Sequence, residues 1–127
     1  MQKVIEMDLN SLQTLAHQGF ADVKGDQLGD LAEWCRDYSE ATGDARYAII
    51  GQALSELSKW WSWHDRSGGI PFRLMSEIEE TIKRRLPEIL ATASARDAAP
   101  LARSFRQEIK RKLSGPEDWV AGGYAER

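Results

Sequence analysis

Apolar side chains recur every three or four residues along most of this chain, and no other feature constrains the fold as strongly. Wound at about 100° per residue, Met75, Ile78, Ile82, Leu86 and Ile89 share one stripe. Arg73, Glu77, Glu80, Arg84 and Glu88 fall opposite. An earlier segment repeats the pattern, with Leu28, Leu31, Ala32, Cys35 and Tyr38 on one side and Asp26, Asp30, Glu33, Asp37 and Glu40 on the other. Segments of this kind are amphipathic helices, each with one face to bury. Several of them in one short chain predict an all-α, single-domain bundle.

The boundaries follow from capping chemistry. Asp8 suits the start of a helix reaching about His17, with Gly19 as its stop and Phe20 placed to pack back. Asp26 and Gly43 bracket a second helix. Asp44 and the pair Gly68-Gly69 bracket a third, ending near Asp65. Pro71 opens a fourth, where its missing N–H costs nothing. Asp97 starts a fifth, with Pro100 in its first turn and Gly115 at its end. Pro87 falls inside the fourth pattern and predicts a kink or break there. Residues 1–7, read as a possible short strand without a partner, and residues 122–127 are expected to fray.

The third segment has the widest apolar arc: Tyr47, Ile49, Ile50, Ala53, Leu54, Leu57, Trp60 and Trp61. A helix apolar over so much of its circumference belongs in the middle of the bundle. Trp60 and Trp61 lie on the arc and are expected in the core. Trp63 lies about 120° from its centre by the same winding. It is either covered by the loop to Phe72 or left outside as an anchor for a partner.

The 127 residues suit one domain, and the single cysteine, Cys35, cannot form an internal disulfide, which fits a cytoplasmic setting. No apolar run approaches the ~20 residues of a membrane helix. The net charge of −3 argues against nucleic acid as the partner. Residues 1–58 carry a net −6 and residues 59–127 a net +3, an asymmetry that suits either internal pairing or a charged binding face.

Catalytic equipment is sparse. Cys35 sits on an apolar stripe, where thiols are usually inert. His64, near a helix end, reads most simply as hydrogen-bonded to a last-turn carbonyl at the negative end of the dipole. His17 and Cys35 give it no ligand spacing. "RSGGIP" lacks the lysine and spacing of a phosphate loop. Asp30, Glu33 and Asp37, with Glu77 and Glu80, would be the carboxylates of a magnesium site. Their order and spacing do not match the acidic pairs of helical nucleotide pyrophosphatases. "ARSFRQEIKRKL" places Arg103, Arg106 and Lys110 on one face, but its only aromatic, Phe105, turns inward, so no stacking platform exists.

The expectation is a non-enzymatic protein-binding module without metal or cofactor. Its partner would be another protein or a second copy of the chain, met by Trp63, His64, Arg66 and Phe72, and by Trp119 in the tail. The acidic first half also fits an immunity- or antitoxin-type inhibitor of a basic toxin. The alternative is a magnesium-dependent helical enzyme acting on a nucleotide or phosphate through the acidic residues.

Overall fold

Asp8 closes the first turn of its helix as expected. Its carboxylate accepts the Ser11 N–H at 3.0 Å while Ser11 Oγ accepts the Asp8 N–H at 3.3 Å. In the computed structural model, which describes residues 7–114, helix α1 runs Leu9–Gln18 and stops at Gly19, followed by a 3-10 turn over Gly19–Ala21. Then come α2 (Gly25–Thr42), α3 (Ala45–Arg66), α4 (Phe72–Ala91) and α5 (Ala95–Ser114). No strand occurs among the described residues; of the residues 1–7 and 122–127 expected to fray, all but Met7 lie outside them, and Met7 packs half-buried against the core.

Three boundaries differ from expectation. Helix α2 starts at Gly25, one residue before Asp26, because Gln27 Oε1 accepts the Lys24 N–H at 3.0 Å. Helix α5 starts at Ala95, because Ser94 Oγ takes the Asp97 N–H at 3.3 Å and so assumes the capping role assigned to Asp97. Pro87 does not break α4, which continues to Ala91. Leu86 and Ile89, on either side of the proline, are both buried. Packing on both flanks holds the helix through the missing hydrogen bond.

Helix α3 is central. It packs extensively against α2 on one side and α5 on the other, while α4 packs against α1 and α5. The core draws on all five helices, with Leu12, Leu31, Leu54, Leu57, Ile82, Leu86 and Phe105 sealed from water. Gly51 sets the α2–α3 distance. A Cβ there would stand 2.9 Å from the Ala32 carbonyl oxygen and 3.3 Å from Cys35 Cβ. Trp34, Tyr38 and Tyr47 form an aromatic cluster at one end of the same seam, Trp34 stacked on Tyr38 at 4.7 Å and Tyr38 edge-on to Tyr47 at 4.8 Å.

At that end Arg46 is buried and fully engaged. It pairs with Asp44 at 3.0 Å and donates to the carbonyls of Ile89 at 2.8 Å and Thr92 at 2.7 Å. The start of α3 is thereby tied to the end of α4, where the Ile89 carbonyl also accepts the Thr92 N–H at 3.3 Å. At the opposite end Glu79 accepts the Phe20 N–H at 2.9 Å, fastening the 3-10 turn to α4.

Candidate functional site

The three tryptophans near the end of α3 point in three directions, and each meets a different environment. Trp60 is 4% exposed and belongs to the core. Trp61 is only half-buried, which corrects its assignment to the core. It packs edge-on against Phe20 at 4.9 Å, and its indole fills the space that a side chain on Gly25 would need. Adjacent helix positions diverge by about 100°, so both could not face one direction. Trp63 keeps 40% of its surface exposed.

His64 lies beneath this surface, 8% exposed, its ring against Trp60 at 4.9 Å and Trp63 at 4.8 Å. Burial lowers its pKa below the ordinary histidine value. The helix dipole would act in the other direction, so desolvation outweighs it here. Its own main-chain carbonyl accepts the N–H groups of Ser67 at 3.1 Å and Gly69 at 2.8 Å, closing α3. Of the other expected contact residues, Arg66 is exposed and Phe72, at the start of α4, is 75% exposed. Trp119 lies outside the described residues.

Trp63 stands on the edge of a groove between α3 and α5. Glu56, Lys59, Trp60 and Trp63 form one wall, and Lys110, Leu113 and Ser114 the other. Its volume is about 440 Å³, within the range of ligand-binding clefts. Trp60 and Leu113 supply buried apolar surface and the lysines supply charge. Glu56 is held by Arg106 at 2.9 Å. Nothing in the sequence singles out Lys59 and Glu56, and Leu113 reads there only as part of the apolar stripe of α5. The two walls are about 50 residues apart in the chain, and periodicity within one helix does not say which helix faces it.

The other candidate sites disperse. The acidic faces of α2 and α4 do not converge, because α2 packs on α3 while α4 packs on α1 and α5. Among the described residues no three of His, Cys, Asp and Glu group so as to hold a metal ion. The charges on the outer face of α4 form contacts between helices: Arg84 and Arg85 bind Glu108 at 2.8 and 3.2 Å, and Lys112 approaches Glu77 at 3.8 Å. The basic face of α5 is thus partly used in holding the bundle together. Burial pushes the Cys35 thiol up to about 12, which leaves almost no thiolate at neutral pH. No described helix is long and apolar enough to cross a membrane. The chain matches no protein-family model, no curated protein and no solved structure.

Proposed function

We propose that this protein is a cytosolic protein-binding module and that its contact surface is the α3–α5 groove with the adjoining end of α3. One observation carries the reading: Trp63 holds 40% of its surface in solvent on the edge of a groove lined by buried Trp60 and Leu113. Large apolar side chains are rarely left at a surface groove without use, and tryptophan is the residue most enriched among interface anchors. Exposed Phe72 and Arg66 extend the surface around the α3–α4 loop. His64 serves as support beneath Trp63. The exposed carboxylates of α2, on a different face, would suit a basic partner of the kind an inhibitor meets. The magnesium-enzyme alternative draws no support from carboxylates that stay apart.

The test compares wild type with Trp63→Ala. Circular dichroism reads folding, and affinity capture and sedimentation read association with other proteins or with a second copy. The expected result is unchanged helicity with binding weakened by about 2 kcal/mol or more, as for an interface anchor. Loss of helicity in the variant, or association unaffected by it, would refute the reading.

A further inference from the structure

We infer that the α3–α5 groove receives an acidic polypeptide segment of a partner protein, anchored by one apolar side chain. The inference rests on the protein-binding reading above and adds the chemistry of the partner. Charge is the first argument. Lys59 on one wall and Lys110 on the other are exposed, and neither makes an ion pair among the described residues. Among the described residues the one carboxylate lining the groove, Glu56, is already neutralised by Arg106. The field in the groove is therefore positive and favours carboxylates.

Apolar lining is the second argument. Trp60, Trp63 and Leu113 offer an anchor side chain an apolar surface, of which Trp63 stands 40% exposed. A two-fold copy of the same groove is disfavoured, because an isologous contact would set Lys59 and Lys110 of each chain against their own copies. A basic segment is disfavoured by the same repulsion.

The experiment titrates the full chain into two fluorescein-labelled synthetic peptides, read by anisotropy. One has aspartates and glutamates around a single central leucine; the other has lysines in place of every acid. The acidic peptide is expected to bind saturably, and more weakly as salt is raised. Its dissociation constant should rise at least tenfold in Lys59→Glu/Lys110→Glu and at least tenfold in Trp63→Ala, with unchanged circular dichroism in both. No saturable binding, equal binding of the lysine peptide, or an unchanged constant in the double variant would overturn the inference. A tenfold gain of affinity in Trp119→Ala would make this chain's own residues the occupant and overturn it as well. If Trp63→Ala abolishes capture of a natural partner while the lysine reversals do not affect it, this inference fails and the protein-binding reading stands.

Discussion

His64 shows two opposing fields acting on one side chain. Its place in the last turn of α3 favours the imidazolium, whereas burial against Trp60 and Trp63 favours the neutral ring, and burial prevails. The folded-state pKa is thus below the unfolded one. The unfolded chain takes up the proton first as pH falls, so this contribution to stability is complete above about pH 6.5 and is lost as pH drops through the folded pKa. The urea midpoint of wild type is expected to fall between about pH 7 and pH 5, and that of His64→Phe to fall less. Equal slopes would mean that His64 contributes nothing. Beside it, the three tryptophans rank by burial. Trp60→Ala should cost about 3–5 kcal/mol in chemical unfolding. Trp61→Ala should cost less and Trp63→Ala least. Should Trp61 prove the costliest, the half-buried packing on Phe20 would have been undervalued. Winding the helix separates Trp63 from Trp60, but that count cannot reveal that Phe20 and Gly25 come round to meet Trp61.

At the scale of the element, the close approach of α2 to α3 depends on Gly51. Helix propensity alone says that Gly51→Ala stabilises α3 by about 1 kcal/mol. The packing says otherwise, because the new methyl would press on the Ala32 carbonyl, which is backbone and cannot rotate away. Overpacking of this kind costs about 1–3 kcal/mol, so the variant should unfold at lower denaturant than wild type. A higher midpoint would mean that α2 gives way easily. Pro87 illustrates the same contest with the other outcome. A local rule calls for a kink or break, and the buried neighbours Leu86 and Ile89 carry α4 past Pro87 without a break. Local rules succeeded where the chain itself supplies the partner, as at Asp8, Gly19, Gly43 and Asp44. At Asp97 the preceding Ser94 took the cap, and α2 begins one residue ahead of Asp26, with Gln27 reaching back to the Lys24 N–H; sequence spacing leaves both choices open.

Across the whole molecule, Arg46 is the main polar link between the ends of α3 and α4. Arg46→Met keeps most of the apolar stem but leaves Asp44 without its cation, removes the guanidinium from the Thr92 carbonyl and leaves the Ile89 carbonyl only the Thr92 N–H. Removing one partner of such a buried pair costs about 3–5 kcal/mol; a loss under ~1 kcal/mol in thermal or urea unfolding would show that water replaces the guanidinium. Nothing in the sequence marks Arg46 as the link, since the carbonyls it bridges to lie more than 40 residues away. By itself the sequence determined the number of helices, most of their ends, the inward faces of α2, α4 and α5, most of that of α3, and the central place of α3. These follow from bonds and periodicities spanning a few residues. Only the tertiary structure decided which helices are neighbours, and hence the Gly51 contact, the Arg46 link, the separation of the acidic faces and the groove where Trp63 meets α5. Those depend on the docking of whole faces, which many distant side chains settle together and no short stretch encodes.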